Sequence, residues 1–296
     1  MPTAQANGIE LCYETLGDPA DPTVLLVMGL GGQLIGWDPE LCGMIADRGF
    51  HVVRFDNRDV GLSTHLEGEV DILGVLAAQA PGAGEGPPVP YLLSDMAADA
   101  VGLLDHLGVE RAHVVGLSLG GMIAQQVAID HPERVITLTS MMSTTGDPDV
   151  GQPTGEAMSA LLAPPAQTRE EAQDGFVRHT HVWGSPGLFD EDHLRQVAGA
   201  AWDRDHDAWG PARQVAAIMA SGSRSGGLSK LEVPTLVIHG TADTLVQPSG
   251  GERTAKVVPD AKLLMIDGMG HDAHLSKPWW PTLVDAICGH MSEHAV

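Results

Sequence analysis

The sequence predicts an α/β protein in which a mostly parallel central sheet is flanked by helices. Two observations lead to this fold class. Short, continuously apolar runs, typical of strands buried on both faces, alternate with segments of helical periodicity in the first half of the chain. A single serine set among glycines, in the stretch VVGLSLGG at residues 114–121, connects one of these runs to an apolar helical pattern.

The predicted elements follow from the apolar runs and from the turn signals between them. Asn7-Gly8 is a typical hairpin turn, and it predicts that Ile9–Thr15 forms an antiparallel edge in front of the parallel strands. Helical spacing of apolar residues over 93–107 predicts a helix that ends at Gly108. The remaining predictions are strands at Thr23–Val27, His51–Phe55, Ala112–Val115, Val135–Met142, Thr235–His239 and Lys262–Ile266, a loop that is mobile by composition at Ala80–Pro90, and a last helix through Leu283–Met291.

The strand pattern is interrupted once, and the interruption predicts the domain organisation. Residues 143–228 are richer in Pro, Gly, His, Trp and charge, with helical periodicity at Glu191–Trp202 and Pro211–Ser221. The simplest interpretation is a helical cap, residues 143–228, inserted between the two parts of an α/β core, residues 1–142 and 229–296.

The composition argues against several classes of partner. With a net charge of −23 at pH 7, the chain lacks the basic clusters that bind nucleic acid or anionic membrane surfaces. No apolar run approaches the roughly 18 residues of a membrane span, and no signal peptide is visible. Cys12, Cys42 and Cys288 are odd in number and far apart, which favours buried thiols over disulfides or a metal site. We expect a cytoplasmic protein with no metal or cofactor, whose oligomeric state is left open.

The serine of VVGLSLGG, Ser118, is the predicted nucleophile. A strand that passes into a helix through Gly-Leu-Ser-Leu-Gly forces the serine into a strained backbone conformation. Gly116 and Gly120 allow the strand and the helix to approach without Cβ clashes. The hydroxyl is then expected at the carboxyl edge of the sheet, where ligands of α/β proteins bind. The alternative is a chance occurrence of the pattern in an ordinary turn.

A serine nucleophile needs a base, and the base needs a carboxylate that orients it. When the nucleophile lies on such a strand-to-helix turn, the three residues are expected in the order Ser, then Asp or Glu, then His along the chain. Asp243 follows a predicted strand in VIHGTADTLVQP, and His271 lies in a glycine-rich loop after the next strand in LMIDGMGHDAH. His274 is a local alternative to His271 as the base, and Asp147, after Val135–Met142, is an alternative acid.

Two backbone amides are expected to stabilise the oxyanion that forms during acyl transfer. One belongs to Leu119, the residue after the predicted nucleophile. The other comes from the loop MGLGGQ after the strand Thr23–Val27, and Leu30 is the predicted donor.

With these motifs in place, the sequence resembles the α/β-hydrolase superfamily across nearly its whole length. Within it, GDPADPTVLLVMG and RFDNRDVGLST resemble the branch that contains aclacinomycin methylesterase and related bacterial esterases. Most relatives have His before Gly29, whereas this chain and the methylesterase-like branch have Met28, which we interpret as a packing variation. The matching segments are Met28–Gly32, Asp56–Ser63, the turn at Ser118, Pro234-Thr235 leading to Asp243, and Gly268–His271.

Other polar and aromatic residues near these motifs have two interpretations. The pair Arg58-Asp59 is expected to tie its loop to the sheet edge rather than to contact substrate. Trp183, Trp202 and Trp209 either line an acyl or polycyclic pocket or form the core of the cap; Trp183 and Trp209 are our candidates for substrate binding. The helix Pro211–Ser221, with Arg213 and Gln214, resembles the cap helix that follows the pocket in these relatives.

The motifs and the resemblance together imply a serine hydrolase that cleaves small-molecule carboxylic esters. Lactonases, perhydrolases and carbon–carbon bond hydrolases use the same three residue types, so these activities remain alternatives. A non-hydrolytic ligand receptor on the same scaffold is a second class of function, since a fold alone does not define an activity.

Overall fold

Eight strands in the described part of the chain form one sheet, in the order β1-β2-β4-β3-β5-β6-β7-β8. The structure is a computed structural model that describes residues 1–78 and 86–294. The strands are β1 (Thr3–Ala6), β2 (Ile9–Leu16), β3 (Thr23–Val27), β4 (His51–Phe55), β5 (Ala112–Leu117), β6 (Val135–Met141), β7 (Thr235–Gly240) and β8 (Lys262–Ile266).

The sheet is antiparallel only at its N-terminal edge. Asn7 and Gly8 both have positive φ, 47° and 79°, which matches the two-residue turn of a β1–β2 hairpin. β2 also pairs antiparallel with β4, and the pairs from β4 through β8 are parallel. The predicted mostly parallel α/β fold is confirmed.

Helices cover both faces of the sheet because the central strands are apolar on both sides. In β3, Leu25 and Val27 pack with α3 and α4, whereas Val24 and Leu26 pack with α1 and α11. The helices are α1 (Pro39–Ala46), α2 (Ile72–Ala78), α3 (Leu93–His106), α4 (Leu119–Asp130), α5 (Gly155–Leu161), α6 (Arg169–Trp183), α7 (Glu191–Arg204), α8 (Trp209–Ser221), α9 (Ser225–Leu228), α10 (Ser249–Val257) and α11 (Trp280–Glu293).

Five of these helices, α5 to α9, lie between β6 and β7, in the segment predicted as the cap. Their N-termini are set by local chemistry: the side chains of Thr154, Thr168 and Asp190 accept hydrogen bonds from first-turn amides of α5, α6 and α7. The division into core and cap stays a prediction. The predicted mobile loop, Ala80–Pro90, lies largely outside the described residues.

The described helices include none that is both long and apolar enough to cross a membrane. The three cysteines are buried thiols, as their spacing predicts. Burial raises the pKa of Cys42 and of Cys288 to about 11, so these thiols are held in the neutral form.

Candidate active site

The turn between β5 and α4 holds Ser118 in a strained conformation, with φ 57° and ψ −120°. Such a conformation costs a non-glycine residue about 1–3 kcal/mol and persists only where neighbours impose it. Here a Cβ on Gly116 would lie 2.0 Å from the carbonyl oxygen of Gly120, so the strand and the helix are in direct backbone contact. The amide of Ser118 donates to Met141 O at 2.8 Å, and Ser143 Oγ donates to Ser118 O at 2.8 Å.

The predicted acid and base meet at the same edge of the sheet. Asp243 follows β7 and His271 follows β8, both at the carboxyl ends of parallel strands. His271 Nδ1 donates to Asp243 Oδ2 at 2.6 Å, and both residues are buried, with 7% and 2% exposure. The amides of Leu245 and Val246 donate to Asp243 Oδ1, each at 2.9 Å. The carboxylate is therefore fixed, and Nε2 is the nitrogen of His271 left for proton exchange.

The environment of Asp243 favours its ionised form. Burial raises the pKa of this carboxyl, but the contacts with His271 and His239 outweigh burial and hold the pKa below its usual value. His239 Nε2 lies 3.5 Å from Asp243 Oδ2 and donates to Val246 O at 2.7 Å. An ionised Asp243 is the form that can stabilise a protonated His271.

The alternative acid, Asp147, has other partners. Its carboxylate accepts hydrogen bonds from Ser223 and, at 2.7 Å, from Ser225, and it pairs with Arg253 at 2.7 Å. Slight burial raises the pKa of Asp147, but these hydrogen bonds dominate and lower it to about 2. The structure thus brings Asp243, and not Asp147, to His271.

The alternative base, His274, packs edge-on against the buried Trp37, with ring centroids 6.4 Å apart. Burial, with a smaller contribution from His271, lowers the pKa of His274 to about 3. Its Nδ1 is buried without a hydrogen-bond partner among the described residues. A ring held neutral in this way is a poor proton acceptor at pH 7.

Both predicted oxyanion donors lie beside Ser118. Leu119 is the first residue of α4, and Leu30 follows Gly29, where a Cβ would lie 3.2 Å from Ser118 Cβ. Within residues 1–78 and 86–294, the amides of Leu30 and Leu119 donate to no backbone carbonyl. Two unpaired amides beside a serine are the arrangement that an oxyanion requires.

Met28, which stands where most relatives have His, packs closely against its own loop. Met28 is 2% exposed, and its side chain fills the space above two glycines. A Cβ at Gly32 would lie 2.6 Å from Met28 Cγ, and a Cβ at Gly36 would lie 2.8 Å from Met28 Cε. These contacts agree with the interpretation of Met28 as a packing residue.

Arg58 and Asp59 pair with different helices. Arg58 forms a buried, two-bonded ion pair with Asp99 of α3, at 2.6 and 2.7 Å. Asp59 accepts from Arg213 of α8 at 2.9 Å and from the amide of Leu66 at 2.7 Å. These contacts are structural, as expected, but they tie the loop after β4 to α3 and α8 rather than to the sheet edge.

The three tryptophans of the predicted cap occupy different environments. Trp183, the last residue of α6, is half-buried and stacks at a tilt on His179, with ring centroids 5.2 Å apart. Trp202 stacks on His206 at 4.7 Å. Trp209, at the start of α8, is 40% exposed. A role in substrate binding stays a prediction for Trp183 and Trp209.

A buried network that was not predicted from the sequence holds the His271 loop. The amide of His271 donates to the carbonyl of Trp183 at 2.6 Å. Ser185 Oγ donates to Asp272 Oδ1 at 2.6 Å and accepts from the amide of Gly270 at 2.9 Å. Asp272, which directly follows His271, was the available sequence signal; no local pattern marks Ser185.

A group of possible metal ligands lies at the amino ends of the parallel strands, opposite the carboxyl ends where Ser118 lies. His290, Glu293 and His294 place their ligand atoms within 4.8 Å of one another near Pro234, which precedes β7. Glu293 is paired with Lys262, whose ammonium group would repel a cation. This group is remote from the Ser118 edge.

The fold and the arrangement at the sheet edge agree with a match to a family model described as the alpha/beta hydrolase fold, which covers residues 22–186. The chain belongs to the α/β-hydrolase fold family. Among curated proteins, it is 31% identical to rhodomycin D methylesterase of Streptomyces peucetius, over 98% of each chain. It is also 30% identical to a putative carbamate hydrolase of Variovorax paradoxus, over 88% of this chain and 89% of the relative. The predicted resemblance to methylesterase-like esterases is confirmed.

Solved structures agree with the fold. The enol-lactonase from Burkholderia xenovorans superposes with a TM-score of 0.75 at 23% identity, covering 98% of this chain and 100% of that one. A meta-cleavage product hydrolase from Pseudomonas fluorescens gives a TM-score of 0.78 at 19% identity, covering 99% and 98%. At these identities the likeness concerns the fold alone.

Proposed function

We propose that this chain is a serine esterase that hydrolyses carboxylic esters through an acyl-enzyme. Ser118 is the nucleophile, His271 the general base and acid, and Asp243 the carboxylate that orients His271. The 2.6 Å hydrogen bond between His271 and Asp243, at the sheet edge where the strained Ser118 stands, carries the proposal. The methylesterase relatives support ester hydrolysis as the reaction class.

In the acylation step, Ser118 Oγ attacks the ester carbonyl carbon while His271 Nε2 takes the hydroxyl proton. The carbonyl oxygen becomes an oxyanion that accepts hydrogen bonds from the amides of Leu30 and Leu119. When the C–O bond to the alcohol breaks, the leaving alkoxide receives the proton from His271, and the acyl group remains on Ser118. Asp243 stays ionised throughout and stabilises the imidazolium.

In the deacylation step, water takes the place of the alcohol. His271 removes one proton from the water, and the resulting hydroxide adds to the acyl carbon. Collapse of the second tetrahedral intermediate returns the proton to Ser118 Oγ and releases the carboxylic acid. One water is consumed and one acid and one alcohol are formed, without a metal or a redox cofactor.

The cap is the element that would select the substrate. It contributes α6, whose last carbonyl bonds to His271, and α8, whose side chains reach the loops after β3 and β4. A large cap over the carboxyl edge, together with the rhodomycin D methylesterase relatives, supports a methyl ester of a bulky ring system as the substrate class. Trp183 and Trp209 are the proposed contacts for the acid part of such an ester.

The experiment measures ester turnover and identifies the nucleophile. Purified protein is assayed with p-nitrophenyl acetate and with a methyl ester of a polycyclic acid, the latter by methanol release. A fluorophosphonate then labels the nucleophile, and peptide mass spectrometry locates the label. We expect turnover of both esters and a label on Ser118. A label elsewhere, or no turnover of either ester, contradicts the proposal, and absence of turnover with retained ligand binding indicates a receptor.

A further inference from the structure

The Leu30 amide lies in a four-residue turn whose own hydrogen bond sets the direction of that amide. Gly32 N donates to Gly29 O at 3.1 Å, and Gly31 has φ 64°, so residues 29–32 form a tight turn. In a trans peptide, the C=O and the following N–H point in opposite directions. Because Gly29 O faces the turn interior, Leu30 N–H points out of the turn.

The next peptide of the turn is held by the cap. Gly31 N donates to Gln214 Oε1 at 2.9 Å, and Gln214 Nε2 donates to the carbonyl of Arg58 at 2.9 Å. Gln214 belongs to α8 and is 0% exposed. Its amide is fixed in one orientation, because a flip would place oxygen against the Arg58 carbonyl and an NH₂ group against the Gly31 amide.

The preceding peptide is held by the core. Asn57 Nδ2 donates to Met28 O at 3.0 Å, and Asn57 is 2% exposed. The peptides before and after the Leu30 amide are therefore each bonded to a buried amide side chain, one from the core and one from the cap. Neither side chain is needed to complete a helix or a strand, because both bond to loop peptides.

We infer that Gln214 is a positioning residue for the oxyanion hole. Through Gln214, the cap keeps the Leu30 amide pointed at the oxyanion that forms beside Ser118. The inference rests on the proposed function, since it needs an oxyanion to form beside Ser118. Oxyanion donors act through fixed orientation, and a displaced amide loses most of its effect on the transition state. Gln214 acts through Gly31 and Leu30, without touching the substrate.

The primary test replaces Gln214 by Met, which keeps the side-chain length and removes both hydrogen bonds. With p-nitrophenyl acetate we expect kcat to fall by roughly 10–100-fold, less than the roughly 100–1000-fold loss of a whole oxyanion donor. KM should change by less than about 3-fold, because the interaction matters in the transition state. The inhibition constant of phenylboronic acid, which forms a tetrahedral adduct on the nucleophile, should rise by the same factor as kcat falls.

A second variant, Gln214→Glu, keeps an acceptor for the Gly31 amide and loses only the donor to Arg58. Its kcat should fall by less than about 10-fold, the smallest loss expected of Gln214→Met, so it tests the inference even if the Met variant does not fold. A loss of more than about 10-fold in a folded Glu variant would show that the bond to Gly31 is not what matters.

Gln125 of α4 provides a matched control. It is 0% exposed and also joins the core to the predicted cap, donating to Ser140 Oγ and accepting from Arg224 Nε, each at 3.0 Å, but it bonds to no peptide of the turn. Gln125→Met should lower Tm and keep kcat within about 2-fold. An equal loss of kcat in Gln125→Met, or a raised KM with unchanged kcat in Gln214→Met, overturns the inference. Activity retained in Ser118→Ala would instead contradict the proposed function itself.

Discussion

Ser118 combines backbone strain with a fixed position. Its φ of 57° is imposed from outside, because Gly116 and Gly120 are in backbone contact with their neighbours and Met141 accepts the Ser118 amide. The hydroxyl itself takes no part in these constraints. The fold at this turn should therefore tolerate loss of the hydroxyl, although catalysis should not.

We predict that Ser118→Ala folds as the wild type does but loses ester hydrolysis by roughly three orders of magnitude or more. Members of a catalytic triad act as a unit, so the remaining groups supply only residual electrostatic stabilisation. Steady-state kinetics with p-nitrophenyl acetate measures the loss, and circular dichroism checks the fold. If more than about a tenth of the wild-type kcat remains, Ser118 is not the nucleophile.

The contrast between two aspartates yields a second prediction. Asp243→Asn should leave the fold intact but place His271 in the wrong tautomer, costing roughly 10⁴-fold in kcat, as in the triad of the chymotrypsin-type enzymes. Asp147→Asn is the matched control, because Asp147 bonds to Ser223, Ser225 and Arg253 instead of to His271. It should affect Tm more than kcat. A larger loss of kcat in Asp147→Asn than in Asp243→Asn would reverse the assignment of the acid.

Among the helices of the predicted cap, α6 and α8 bond to loops that carry residues of the proposed site. The C-terminal carbonyl of α6, at Trp183, accepts the amide of His271, and Gln214 of α8 bonds to Gly31. Neither helix supplies a side chain that reacts. The predicted cap is therefore expected to act on substrate affinity through Trp183 and Trp209, and on catalytic geometry through these two hydrogen bonds to the loops of the core.

The effect of the two tryptophans on substrate affinity can be tested with substrates of two sizes. Trp183→Ala and Trp209→Ala should raise KM for a bulky polycyclic ester more than they lower kcat for p-nitrophenyl acetate, which makes few cap contacts. Leu162→Ala, at a residue of the predicted cap that is 62% exposed, is the control and should change neither constant. Equal proportional losses of kcat on both substrates, with folding intact, would mean that the tryptophans take part in the chemistry.

The elements that were predictable from the sequence are those whose burial is continuous. All five residues of β3 and all five of β4 are buried, and each strand is marked in the sequence by adjacent apolar residues, Val24–Val27 in β3 and Val52-Val53 in β4. Helix α6 was not predicted, because only Val177 and Thr180 of its 15 residues are buried and its periodicity is correspondingly weak. Gln214 could not be assigned a role, since its partner Gly31 lies 183 residues away.

The protein as a folded unit should be sensitive to mild acid through buried histidines. His113 is 0% exposed and bonds to Thr137 Oγ1 at 2.8 Å, and burial, assisted by nearby positive charges, lowers its pKa from 6.5 to about 4. Between pH 4 and pH 6.5, His113 is protonated in the unfolded chain but neutral in the folded protein. The stability that the neutral ring contributes is complete above pH 6.5 and is lost as the pH falls toward 4.

We therefore predict that His113→Gln flattens the decline of stability between pH 6.5 and pH 4. The full shift corresponds to about 3 kcal/mol of pH-dependent stability. Urea unfolding of the wild type and of the variant at intervals over this range, with pH 8 as the reference, gives the two slopes. Parallel curves for the two proteins would show that His113 is not responsible for the acid sensitivity.

The bonds between the cap and the loops of the core have a consequence for protein engineering. Grafting residues 143–228 from a relative would bring new helices but leave behind half of each bond, at Gly31, Arg58, His271 and Asp272. A chimera made in this way would carry the donor's predicted cap, but the proposed base, His271, and the proposed oxyanion amide, Leu30, would be misaligned. To transplant substrate preference without loss of turnover, the graft must carry its own versions of the loops after β3, β4 and β8.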